Sequence, residues 1–208
     1  ESEQRGHIRL MCSLGGRYRR KVGMLVDEAG DPSLHTTAML AEAMLEHDLV
    51  GRGIANHARA VGLLPQPAFT RLASLARRAG MGFVSDPHTG PLHLPVGDLV
   101  RLGFPVALGQ DDIEDAYYPF GRHSLLEVAF LAAHLLGMVD GPGLETMLDL
   151  VTTSASRVLG IQGHSLHVGG SADLVVHREA TVRRVLAEHA PPRFVVAGGR
   201  VIAETDIC

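Results

Sequence analysis

The sequence predicts an α/β fold in which short buried strands alternate with helices along a parallel sheet, with a small sheet appended toward the C-terminal end. Three observations carry this. Short apolar runs at 22–26, 53–56, 81–84 and 104–108 each end on polar residues. Helix-spaced segments separate these runs, and that alternation marks consecutive βα units, whose chemistry sits at the strand tips. Finally, 194–204 reads as two short strands around Ala197-Gly198-Gly199-Arg200, a centre that suits a tight hairpin turn.

Taken in order, 7–20 has helical spacing with Leu10, Leu14 and Met11 inward, and the Gly15-Gly16 pair weakens it. The strand at 22–26 carries Asp27 and Glu28 at its tip. Asp31-Pro32-Ser33 then supplies a turn and a cap for a helix over 34–49, with Leu34, Ala38, Ala41 and Leu45 on one face. The second strand delivers His57. Pro67 opens a helix that runs to Arg78 and Gly80 ends it, and the third strand ends at Ser85-Asp86-Pro87-His88. A short helix over 97–101 precedes the fourth strand, which leads into Asp111 and Asp112. Two long helices follow, over 124–138 and 144–159, then a glycine-rich turn from Gly163, a strand at 172–176 and a helix over 182–189. Residues 1–162 are expected to form the α/β body with its terminal helices, and 163–208 the small β-rich segment with one helix.

Composition narrows the function classes. In 208 residues, 46% hydrophobic and 20% charged, a sizeable core is available and general disorder is excluded. A net charge of -4 gives no electrostatic case for nucleic acid, and no apolar run is long enough for a membrane span. Cys12 and Cys208 make neither a disulfide framework nor a metal-ligand cluster, so a reducing cytoplasm is the expected compartment.

Four segments, GQDDIEDAYYPFG at 109–121, SASRVLGI at 154–161, GGSADLVV at 169–176 and VVAGGRVI at 195–202, occur in an order that resembles the C-terminal half of the amidohydrolase superfamily, most of all the bacterial cytosine deaminase group. The resemblance implies half of a TIM-like (β/α)8 barrel with part of a small appended sheet domain. It also implies a metal-dependent deaminase or cyclic amidohydrolase acting on a small nitrogen heterocycle, cytosine or a related ring. Asp111 matches the eighth-strand acid that binds the metal and accepts a proton. Glu28 matches the glutamate that shuttles protons to the ring nitrogen. His57 matches the histidine that orients the attacking water or polarises the breaking bond. His88, Asp112 and Tyr117 would face the substrate. The expected cofactor is one divalent ion, Zn or Fe.

The sequence departs from that pattern in named places. Leu25 stands where the family has a metal-binding histidine, three residues before the glutamate, and Gln110 stands where cytosine deaminases usually carry histidine. A full barrel takes about 250 residues, and the family's paired first-strand histidines match nothing in this sequence. The chain is therefore expected to be a fragment or to meet a second copy, chain or segment that completes the barrel. Two other outcomes stay open: a catalytically inactive relative, and an amidohydrolase with an altered ligand set acting on a ring amide. Each site residue also has a structural counterpart. Strand-tip carboxylates such as Asp27 and Asp111 can cap a helix, Asp112 can order a loop, and a histidine after a short strand can be satisfied within a core.

Overall fold

A computed structural model describes residues 2–87, 91–111, 114, 116, 119–162 and 164–205. The chain forms two compact units, Glu1–Gly109 and Gln110–Cys208.

The first unit carries helix α1 (Ser2–Arg17), strand β1 (Val22–Val26), α2 (Thr36–Glu46), β2 (Gly53–His57), a 3-10 turn (Arg59–Leu63), α3 (Gln66–Ala79), β3 (Gly82–Ser85), α4 (Val96–Arg101) and β4 (Val106–Leu108). The strands form one sheet in the order β1-β2-β3-β4, every pairing parallel, with Val26 opposite His57 and Ser85 opposite Leu108. Sequential strands lying side by side in parallel, with helical crossovers between them, are half of a (β/α)8 barrel. The register aligns the strand tips, so residues just past β1, β2, β3 and β4 share one edge. Met39, Leu40 and Met44 of α2, Phe83 of β3 and Leu99 of α4 are almost fully buried. Each such side chain contributes about 1.5–3 kcal/mol by leaving water. Phe83 also meets Phe104 edge to face, with ring centroids 5.6 Å apart.

Two expectations for this unit are corrected. Leu10, Met11 and Leu14 of α1 are not its inward face; they are exposed, at 57%, 37% and 38%, and the buried face is Ile8, Cys12 and Gly15. Nor do the glycines mark a weakness. A Cβ at Gly15 would collide with Val22 and one at Gly16 with the His47 carbonyl oxygen, so the pair lets α1 lie close on its neighbours. Helical spacing alone could not show this, because the large residues lie off the contact face. The second correction concerns α2. It starts at Thr36, and Asp31 instead orders its own turn by accepting from the Ser33 N–H and hydroxyl. The cap is Asp27. Its carboxylate accepts from the Thr36 N–H at 2.7 Å, the Thr36 hydroxyl at 2.8 Å and the Thr37 N–H at 3.0 Å. A carboxylate at a helix N-terminus satisfies otherwise unpaired N–H groups and faces the positive end of the helix dipole.

The second unit contains α5 (Leu125–Leu135), α6 (Gly141–Leu150), α7 (Thr153–Leu159), β5 (Leu174–Val176), α8 (Val182–Glu188), β6 (Phe194–Ala197) and β7 (Arg200–Glu204). The helix expected over 144–159 is two helices, α6 and α7. Thr152 interrupts it with φ -130° and ψ -95°, outside the helical region. Ser124 and Asp140 cap α5 and α6 through their side chains, as short polar residues at these positions do. β5, β6 and β7 form a separate antiparallel sheet, and Gly198 and Gly199 join β6 to β7 with φ 54° and 76°. Two successive left-handed residues are what a two-residue hairpin turn requires.

Candidate metal centre

The tips of β1 and β2 depart from ordinary backbone geometry, as do Arg19, His35, Asp48, Glu114 and His189 elsewhere among the described residues. Asp27, His57 and Ala58 have φ 47°, 63° and 46°, a left-handed region that residues with a Cβ enter at a cost. The Ala58 N–H donates to the Val26 and Asn56 carbonyls and the Ala60 N–H to the Asp27 carbonyl, so the turn is held by β1 as well as by β2. Such a conformation persists only where the surrounding structure holds it, as these hydrogen bonds do.

That turn aims His57 at the tip of β3. His57 is 5% exposed and Asp86 7%, and the His57 Nδ1 lies 3.0 Å from Asp86 Oδ1. Arg59, two residues on, donates to Asp86 Oδ2 at 2.7 Å, and the same Arg59 nitrogen lies 3.0 Å from His57 Nδ1. A carboxylate only accepts, so the Nδ1 proton belongs in the bond to Asp86. Whichever ring nitrogen serves as the ligand atom of the group must be the one that carries the lone pair. The hydrogen bond to Asp86 raises the pKa of His57 above the usual imidazole value, with the charges of Asp86 and Glu28 acting in the same direction and burial and Arg59 opposing.

Asp111 stands three residues past β4, exposed. His57, Asp86 and Asp111 each offer one ligand atom, and these lie within 4.8 Å of one another, which among the described residues makes them a group able to hold a metal ion. One imidazole and two carboxylates suit a divalent cation and leave coordination positions open for water or substrate. Leu25 is 60% exposed and has no donor atom, so it cannot ligate. Glu28 is exposed and lines a cavity of about 560 Å³ together with Met24, Leu25, Leu34 and Arg59.

The structure thus brings together two of the residues singled out in the sequence, His57 and Asp111, and puts Glu28 near enough for its charge to act on His57. His88, Asp112 and Tyr117 lie outside the described residues. Sequence reasoning passed over Asp86 and Arg59. The signal for Asp86 was present: an acid directly after the third strand, as Asp111 follows the fourth. His93, with its ring Nδ1 buried and unpartnered among the described residues, has its pKa lowered, chiefly by burial.

The half barrel carries its candidate metal ligands just past the C-terminal ends of its strands, the face on which enzymes built on this barrel place their chemistry. Residues 4–203 match the amidohydrolase family, and the chain belongs to it. It is 24% identical over its full length to N-isopropylammelide isopropyl amidohydrolase of Pseudomonas sp. (strain ADP), covering 52% of that protein. It is 28% identical over 87% of its length to a pterin deaminase of Rhizobium rhizogenes, covering 44% of it. Among solved structures, 5-methylcytosine deaminase from Klebsiella pneumoniae, liganded with phosphonocytosine, matches 98% of this chain with a TM-score of 0.89 at 24% identity, and 53% of that chain is covered. An adenosine deaminase from Xanthomonas campestris with bound zinc matches 95% of it with a TM-score of 0.71 at 21% identity, with 48% of that chain covered. At these identities the structural matches are likenesses of fold. The chain spans about half the length of the curated relatives it matches.

Proposed function

We propose that the chain carries the metal-binding half of a hydrolase that removes an amine from, or opens an amide within, a small nitrogen heterocycle. The observation that carries this is the convergence of His57, Asp86 and Asp111 at the tips of consecutive strands. The relatives' names, two of them deaminases of pterin and 5-methylcytosine, support the heterocyclic substrate.

His57, Asp86 and Asp111 would hold the ion, either Zn or Fe, with its remaining ligands coming from water and from any segment that completes the barrel. When bound, such an ion lowers the pKa of a coordinated water and makes it a nucleophile near neutral pH. Asp111 accepts the proton that this water gives up. His57, fixed by Asp86, orients the water toward the ring carbon. Glu28 in its acid form would give a proton to the adjacent ring nitrogen as the water oxygen bonds to the ring carbon. Asp111 would then pass the water's first proton to the amine, the carbon–nitrogen bond breaks and ammonia leaves, and the new hydroxyl gives its proton back to Glu28 as it becomes the carbonyl. His88, Asp112 and Tyr117 remain assigned to the substrate-facing rim.

The ligand set differs from the one the resemblance implies. Leu25 cannot coordinate, and Asp86 supplies a carboxylate beside His57 instead. This favours an altered-ligand amidohydrolase over a protein that has lost its metal. The partner expectation is retained as well: β1 and β4 are the edge strands of an open sheet, so completion by a second copy, chain or segment belongs to this reading. No helix among the described residues is long and apolar enough to cross a membrane, and a buried free thiol at Cys12 accords with a reducing cytoplasm.

The test is elemental analysis of the purified protein, alone and after supply of Zn²⁺ or Fe²⁺, followed by an ammonia-release assay on amino-substituted pyrimidines, triazines and pterins. About one ion per chain is expected, together with ammonia release. Protein that takes up neither ion and releases no ammonia rejects the reading.

A further inference from the structure

We propose that Arg59 is a specificity-determining residue that selects heterocycles bearing a ring oxo group; this rests on the hydrolase reading above. Arg59 and Glu28 line the same cavity of about 560 Å³, whose other walls include Met24, Leu25 and Leu34. Gln4, His7 and Thr36 also line it, and a flat ring seated against its apolar residues meets a cationic fork of N–H donors and the carboxyl group of Glu28. That pairing matches the edge of an oxo-heterocycle on which the ring nitrogen that Glu28 protonates lies beside a C=O, with Arg59 at the oxygen.

The charges decide which oxygen is meant. Arg59 is paired with Asp86 at 2.7 Å, so its positive charge is already compensated by a 7% exposed carboxylate. Glu28 adds a negative charge to the cavity, and Asp27, which also lines it, is a carboxylate committed to the start of α2. Among the described residues, the surroundings thus hold no arginine or lysine left to balance a ligand's negative charge. They suit the dipole of a neutral carbonyl, where the guanidinium donates hydrogen bonds, and they oppose a ring carrying its own carboxylate. The brace from Asp86 gives Arg59 a fixed position at 19% exposure, and a pre-positioned donor discriminates better than a mobile one.

The test uses pairs of amino-substituted rings that differ by one oxo group, in the pyrimidine, triazine and pteridine series, together with a carboxylated pyrimidine. For each pair kcat/KM is measured on the metal-loaded protein, with metal content and circular dichroism followed in parallel. The wild type should prefer the oxo member by roughly a hundredfold or more and reject the carboxylated ring. Arg59→Gln should cut that preference at least about tenfold while metal content holds. If Arg59→Gln loses metal or fold, Arg59→Lys is read in its place; it keeps the charge beside Asp86 but not the fork, and the same loss of preference is expected. An unchanged oxo preference in a folded, metal-loaded Arg59 variant overturns the inference and leaves the hydrolase reading standing. So does a wild type that turns over both members of each pair equally. A wild type that binds and turns over none of the rings removes the hydrolase reading and this inference together.

Discussion

Asp111 combines two properties that rarely coincide in a structural residue: it is exposed, and its carboxylate lies within 4.8 Å of ligand atoms on two buried partners, His57 and Asp86. Substitution of an exposed side chain away from a cap or core costs little stability, within about 0.5 kcal/mol. Removing one oxygen donor from a site with three protein ligands is different, because even outer-shell changes around metals cost roughly 10- to 100-fold. Asp111→Asn, nearly isosteric, is therefore expected to leave the metal-free protein folded by circular dichroism, to abolish metal retention on dialysis, and to lower kcat/KM by more than about a hundredfold. Full metal content with most activity retained would remove Asp111 from the ligand set. His57 and Asp86 would not give so clean an answer. Both are buried and joined to each other, and loss of either leaves a buried polar partner to be resolvated.

At the scale of elements, the close approach of α1 to the segment after α2 yields a prediction that runs against helix propensity. Alanine is favoured over glycine inside a helix by about 1 kcal/mol. Gly16 sits within α1, yet a Cβ there would run into the His47 carbonyl oxygen, and backbone cannot rotate aside as a side-chain tip can. Overpacking of this kind costs about 1–3 kcal/mol. Gly16→Ala should therefore destabilise, lowering the urea midpoint, whereas Gly6→Ala, with nothing within 4 Å of its Cβ, should stabilise by up to about 1 kcal/mol. A stabilised Gly16→Ala would mean that α1 does not pack where it is placed. The same elements show what the sequence made legible. The four βα units, the α3 boundary at Gly80 and the Gly198-Gly199 hairpin follow from local signals of apolar spacing, a helix stop and paired left-handed residues. The facing of α1, the choice of α2 as the helix that Asp27 caps and the Arg59–Asp86–His57 cluster do not. Each depends on residues brought together by strand register or helix docking, such as Arg59 and Asp86, which lie 27 positions apart. Leu25 and Asp111 were readable because a motif fixes them within a few residues of a strand tip. Asp86 was passed over although its place directly after a strand was readable, because only the fold shows that His57 and Arg59 converge on it.

For the molecule as a whole, two units with their own elements are expected to unfold as separate cooperative bodies, so that a titratable group buried in one shifts that transition and not the other. Cys12 provides the probe. It is fully buried in the first unit, and burial pushes its thiol up to about 11. In the unfolded chain a cysteine titrates near its ordinary value of about 8.5. Between these values the unfolded state has released a proton that the folded state retains, so stability falls as pH rises, by up to about 1.4 kcal/mol per pH unit. Below about pH 8 both states hold the proton and the effect vanishes. Other groups titrate in the same range, and comparison with Cys12→Ala, which shares them, cancels their contribution. Wild type should be the more stable at pH 7.5, because its side chain fills the site. The gap should narrow steadily from about pH 8.5 to pH 10.5 in the first unit's urea transition, with the second unit's transition identical in both proteins. A gap that stays constant across that range would mean that the thiol is hydrated in the folded state and that α1 does not seal it; a gap that narrows equally in both transitions would mean that the two units unfold as one.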